Sequence, residues 1–146
     1  MFYSIYKANE LKRNYELAND FKYKCVIRSR FDYALLESLN VKDSRHNVGN
    51  VYTPYIHTHN NKIQDWINFS DSDTMDIYAN VFNCMPEYKD EGLILTSGED
   101  ILSYHLDKNN INYIECSGRG CLIRSGGQSE EVDGTSKCAW INVDKL

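Results

Sequence analysis

The chain has 146 residues, with 16 basic against 21 acidic side chains and a formal charge of −5. It is 42% hydrophobic, 12% aromatic and 25% charged with 2 prolines, which is a globular composition and excludes a disordered, collagenous or coiled-coil chain. No basic block stands out, so nucleic acid is not expected as a main partner. No apolar run approaches the roughly 18 residues of a membrane span, so the chain is not expected to be membrane-spanning.

The start, Met1-Phe2-Tyr3-Ser4-Ile5-Tyr6, lacks a basic segment followed by an apolar one, and a secretory signal is not expected. Five cysteines, an odd number at irregular spacing, then point to reduced thiols and a cytoplasmic location. Cys116, Cys121 and Cys138, with His57 or His59, could form a zinc site. Zinc sites more usually show two closely spaced ligand pairs, and only one is present, so buried thiols are the better reading. Eleven tyrosines suit cores and carbohydrate or nucleoside contacts alike.

Residues 2–19 read as a helix, with Ile5, Ala8, Leu11, Tyr15 and Ala18 as its apolar stripe. Residues 23–30 read as a strand with Cys25-Val26-Ile27 as its buried centre, and Val51–Thr53 as a short strand ended by Pro54. Ser70-Asp71-Ser72-Asp73 offers caps for a helix over 73–84, with Met75, Tyr78, Val81 and Phe82 facing inward. Ser97-Gly98-Glu99-Asp100 resembles a capping box before a helix that places Ile101, Leu102, His105 and Leu106 on one face, with His105 a core histidine. Ile111–Glu115, Gly120–Arg124 and Cys138–Val143 are strand candidates, the last two in a small antiparallel piece. The succession points to an α/β or α+β fold.

Arg28-Ser29-Arg30-Phe31-Asp32 carries the most chemistry. If the strand continues through residue 32, Arg28, Arg30 and Asp32 project to one side and Cys25, Ile27, Ser29 and Phe31 to the other. Two guanidiniums and a carboxylate at the carboxyl end of a strand suit a phosphate gripped by arginine and a divalent cation held by Asp32. An Arg–Asp ion pair closing the strand end is the plainer alternative.

Four segments in order, Phe2–Lys12, Val26–Asp32, Asp65–Tyr78 and Gly98–Leu106, resemble a family of sugar transferases found in polysaccharide-synthesis loci and large DNA viruses, which includes the WavE-type lipopolysaccharide-synthesis proteins. The likeness covers residues 1–112 and implies a partial Rossmann-like glycosyltransferase A-type sheet flanked by helices. Residues 113–146 would form a β-rich tail with glycines and cysteines. The resemblance further implies a nucleotide sugar and a glycan acceptor as partners. Arg28 and Arg30 would lie beside the diphosphate, Asp32 would bind Mn²⁺ or Mg²⁺, Asp65 would be the catalytic base, and Glu99 would cap the helix behind the pocket. In the family, this pattern follows a stretch that carries the first strands and most of the nucleotide site. The present chain begins inside it and lacks a glycine-rich phosphate loop, so the likeness implies a partner chain supplying that half. Two functions are therefore expected from different classes: sugar transfer, or a non-catalytic module that binds a glycan or a partner chain.

Overall fold

The computed structural model describes residues 1–39, 41, 48–57, 61–94, 97–118, 120–123 and 129–131. They form a mixed α/β fold. The first helix, α1, spans Phe2–Asn19 and stops at Asp20, which adopts the left-handed conformation and donates its N–H to the Glu16 carbonyl. The chain turns back through Phe21–Tyr23 into β1 (Val26–Ser29) and then β2 (Tyr33–Leu35). Strands β3 (Asn50–Thr53), β4 (Ile56–His57), β5 (Lys62–Ile63) and β6 (Ile67–Ser70) follow. Helices α2 (Ser72–Ala79), α3 (Val81–Asp90) and α4 (Gly98–Lys108) precede β7 (Asn112–Glu115), β8 (Gly120–Ile123) and β9 (Ser129–Glu131).

The main sheet has the order β1-β6-β3-β7. Strand β6 runs antiparallel to both neighbours and β7 is parallel to β3, so β1, β3 and β7 all point the same way. Register sets which side chains share a face. Val26, Ser70, Val51 and Tyr113 form a rung on the helical side, where Val51 joins the core of Phe2, Ile5, Met75, Tyr78, Leu102 and Leu106. Two residues further along β1 and β3 the same face turns polar, with Arg28, Asn68 and Thr53 in line. A second, antiparallel sheet has the order β2-β8-β9. The expected boundary between residues 112 and 113 falls within β7, which belongs to the main sheet, and β8 pairs with β2 near the start of the chain. The strand expected at 138–143 lies outside the described residues. Among the described residues, no helix is long and apolar enough to cross a membrane.

Several elements differ from the sequence reading for physical reasons. In α1, Leu11 and Tyr15 face solvent, whereas Phe2, Ile5 and Glu16 are buried. The inward face therefore runs 2, 5, 9, 12, 16, and its second half is polar because it meets the start of α2. There Lys12 donates to the Ser72 hydroxyl and to Asp76, and Asn9 also donates to Asp76. The helix expected over 73–84 is two helices. At Asn80 the N–H is shared with the carbonyls of Asp76 and Ile77, a tightening that re-aims the chain. Asp71 caps α2, accepting from the Thr74 N–H and hydroxyl. Ile27, expected in the buried centre of β1, is 51% exposed on this edge strand.

His105 is buried, as expected of a core histidine. Its Nε2–H donates to the Ile77 carbonyl, so Nδ1 accepts from the Tyr88 hydroxyl at 2.6 Å. Burial pulls its pKa below the ordinary value, only partly opposed by the Ile77 bond. The unfolded chain takes up this proton more readily than the folded one. Its contribution to stability is thus complete above the ordinary histidine pKa, about 6.5, and is lost as the pH falls through the lower folded value. Urea melts across that window should show a falling stability that His105→Gln, which cannot titrate, reduces. An unchanged slope in the variant would contradict this.

Candidate active site

The carboxyl ends of β1, β3 and β7 lie along one edge of the sheet, the place where open α/β sheets bind ligands. The backbone of β1 dictates what it presents there. The Arg30 N–H bonds the Trp66 carbonyl at 2.8 Å, so alternate residues from Val26 to Arg30 face β6 with their amides. Arg28, Arg30 and Asp32 are half-buried, while Ile27, Ser29 and Phe31 are exposed on alternate positions. The strand expected to continue through residue 32 ends at Ser29, and a turn closed by the Tyr33 N–H on the Arg30 carbonyl holds Asp32, so the trio is not set on one side by strand alternation.

Arg30 is the hub. Its Nε and Nη2 donate to the two oxygens of Asp32 at 2.8 and 2.7 Å, a bidentate pair, and its Nη1 lies 3.6 Å from Asp65. Arg28 stands opposite Asn68 in the register and against the Tyr78 hydroxyl, which accepts from Asn68 Nδ2 at 3.0 Å. Burial pushes Tyr78 up to about 12, so it remains a neutral hydroxyl. The Nη1 atom of Arg28 is buried with no hydrogen-bond partner. A buried guanidinium nitrogen without an acceptor is costly to the fold, and an incoming anion would relieve that cost.

Asp65 precedes β6, and only 5% of its side chain is exposed. Burial raises its pKa first and the nearby Glu99 charge raises it further, against the opposing pull of Arg28 and Arg30. The start of α4 approaches it closely: a Cβ on Gly98 would stand 3.5 Å from Asp65 Oδ2 and 2.8 Å from Met1 Cε. The first is an ordinary contact and the second meets only the end of the Met1 side chain, so a small residue at 98 would leave the approach to Asp65 in place. Ser97 supplies the α4 cap, its hydroxyl accepting from the Asp100 N–H at 3.1 Å. Glu99 does not cap the helix and acts on the site through its charge. Asp100 pairs with Lys62.

Arg28, Arg30 and Phe31 line an open cleft of about 510 Å³, with Met1 and the α1 residues Ser4, Ile5 and Ala8 as the facing wall. That volume is in the range of small-molecule sites. Asp32 and Asp65 lie behind Arg30 and outside the lining. The donor set offers a divalent cation little. Both oxygens of Asp32 accept from Arg30, and no group of three His, Cys, Asp or Glu among the described residues could hold a metal ion. The zinc reading reaches outside the described residues at His59 and Cys138. Sequence reasoning did not find Tyr78, Asn68 and Gly98. Gly98 alone had a local signal, a glycine directly after a helix cap. No family model, curated protein or solved structure matches this chain.

Proposed function

We propose that the chain is a glycosyltransferase-like domain that holds a nucleotide sugar by its diphosphate on Arg28 and Arg30. The observation that supports this reading is the Arg28–Arg30 cleft at the strand ends, where Arg28 Nη1 is buried without a hydrogen-bond partner and Arg30 is held by Asp32. In the proposed reaction an acceptor hydroxyl attacks the anomeric carbon and the bond to the diphosphate breaks. The charge growing on the leaving oxygen falls on the arginines, and Asp65 takes the hydroxyl proton. A raised carboxyl pKa suits that base. The glycosyltransferase A-type fold, the surface-polysaccharide setting and the cytoplasmic location belong to this proposal. So does Mn²⁺ or Mg²⁺ on Asp32, which would first require Arg30 to release that carboxylate.

The test is release of nucleoside diphosphate from a panel of nucleotide sugars offered with glycan acceptors. We expect turnover by the native chain and a loss of about 10²-fold or more in Arg30→Ala, the scale of removing one electrostatic contact to the transition state. Equal turnover in that variant, or none with any donor, would overturn transfer. The burial of Asp65 behind Arg30 favours a second reading, a binding module without turnover, which predicts nucleotide binding with no product.

A further inference from the structure

The two arginines of the cleft are held in different ways. Arg30 is tied to Asp32 by two hydrogen bonds and lies 3.6 Å from Asp65. Among the described residues Arg28 forms no ion pair, and Asp65 acts on it only at longer range. The Arg28 side chain lines the cleft of about 510 Å³ and also a second one of about 320 Å³ between α1 and β1. A guanidinium on a long flexible stem loses rotamer freedom when it is fixed, so a ligand gains from finding it already held in one place.

Two neutral groups on other elements stand where that hold is needed. Asn68 of β6 lies opposite Arg28 in the register, so both side chains rise from one face of the sheet. The Asn68 amide is itself fixed. Its Nδ2 donates to the Gln64 carbonyl at 2.9 Å, which only an N–H can satisfy, and to the Tyr78 hydroxyl of α2 at 3.0 Å. That hydroxyl is thereby an acceptor, and the Arg28 guanidinium lies against it. Asn68 and Tyr78 are both fully buried, so neither is free to swing away. A neutral acceptor satisfies part of a guanidinium without cancelling its charge, and Arg28 Nη1 keeps no protein partner. We infer that Tyr78, oriented by Asn68, is a positioning residue whose hydroxyl accepts from Arg28 and holds the guanidinium with its charge available to an anion in the cleft. This inference rests on the diphosphate reading above and names the residue that prepares Arg28 for it.

The test combines magnetic-resonance spectra and binding on the full chain. With nitrogen-labelled arginine, the Arg28→Lys variant assigns the Arg28 signals. In the native chain rotation of this guanidinium is expected to be hindered, giving separate Nη signals. In Tyr78→Phe, which keeps the ring and removes the hydroxyl, those signals are expected to merge. Affinity for a nucleoside diphosphate is expected to fall about three- to tenfold in the same variant, the scale of one hydrogen bond. In an Arg28→Met background Tyr78→Phe is expected to cost nothing further, because Tyr78 acts through Arg28. Asn68→Ala, which releases the same hydroxyl from its other side, is a second variant and should act in the same direction, with circular dichroism confirming the fold of each. Unchanged Arg28 spectra in both variants, or an equal loss of affinity with and without Arg28, would overturn this inference and leave the diphosphate reading standing. No nucleotide binding by the native chain would overturn both.

Discussion

Replacing Glu16 with alanine is expected to destabilise the protein by about 1–3 kcal/mol, the usual cost of leaving a buried hydrogen-bond donor without its acceptor. Glu16 is 2% exposed in the middle of a polar contact between α1 and α2. Its Oε1 accepts from the Ser72 hydroxyl at 2.6 Å and from the Tyr23 N–H at 2.9 Å, and Lys12 Nζ lies 3.4 Å from Oε2. Its main-chain carbonyl also accepts the Asp20 and Phe21 amides at the helix end. One residue therefore joins the end of α1, the return into β1 and the start of α2. Without its carboxylate, Lys12 keeps Asp76 and Ser72, but the Tyr23 amide loses its acceptor. Glu16→Gln, which keeps one accepting oxygen, should cost less.

The pH dependence follows with a definite sign. Burial disfavours the ionised form of Glu16, but the Ser72 and Tyr23 hydrogen bonds and the Lys12 charge outweigh it and hold the pKa below the usual value. The resulting stability is complete above the ordinary glutamate pKa, about 4.3, and is lost as the pH falls through the lower folded value. Urea unfolding of the native chain and both variants checks this. A loss under about 1 kcal/mol in Glu16→Ala, the size of an exposed pair, would contradict it.

On the sugar transfer proposed above, Asp65→Asn is expected to lower turnover by about 10²–10⁴-fold, the contribution of a positioned general base. Folding should suffer little by comparison. A carboxyl whose folded pKa is raised stabilises most below the ordinary aspartate pKa, and that contribution is lost as the pH rises through the folded value. At neutral pH the ionised carboxylate already stands at a disadvantage, and the neutral amide removes it. The size and type of the kinetic change separate two roles for Asp65. A base loses kcat, whereas a residue that merely steers Arg30 from 3.6 Å away would raise KM for the nucleotide and spare kcat. Full kcat in Asp65→Asn would remove the residue from the chemistry.

Local signals in the sequence carried part of this structure. The limits of α1 are set by its own periodicity and by Asn19-Asp20. The Asp71 and Ser97 caps are set by their side chains, whereas Asp32 meets Arg30 through a turn that follows β1 and not through the two-residue repeat of a strand. Contacts between distant elements were not legible. Strand β6, the partner of both β1 and β3, went unread because Asn68 and Ser70 break its apolar pattern. In the fold both are buried: the Ser70 hydroxyl donates to the Asn50 carbonyl and Asn68 Nδ2 donates to the Tyr78 hydroxyl, while Asn68 Oδ1 has no hydrogen-bond partner. The inward face of α1 was misread for the same reason. Lys12 and Glu16 look like solvent residues until α2 supplies Ser72 and Asp76. The candidate site is similarly divided: its arginines lie in one readable segment, whereas Asn68, Tyr78 and Gly98 come from three other elements.

The most direct measurement is calorimetric titration of the full chain with a nucleoside diphosphate, run with and without Mn²⁺. Saturable heat that falls at least about tenfold in affinity in Arg28→Met and in Arg30→Met is the expected result, because each variant keeps the aliphatic stem and removes the charge. Heat that requires Mn²⁺ and disappears in Asp32→Ala would add a cation to the site. An affinity unchanged by loss of either guanidinium, or no heat in any condition, would contradict the account.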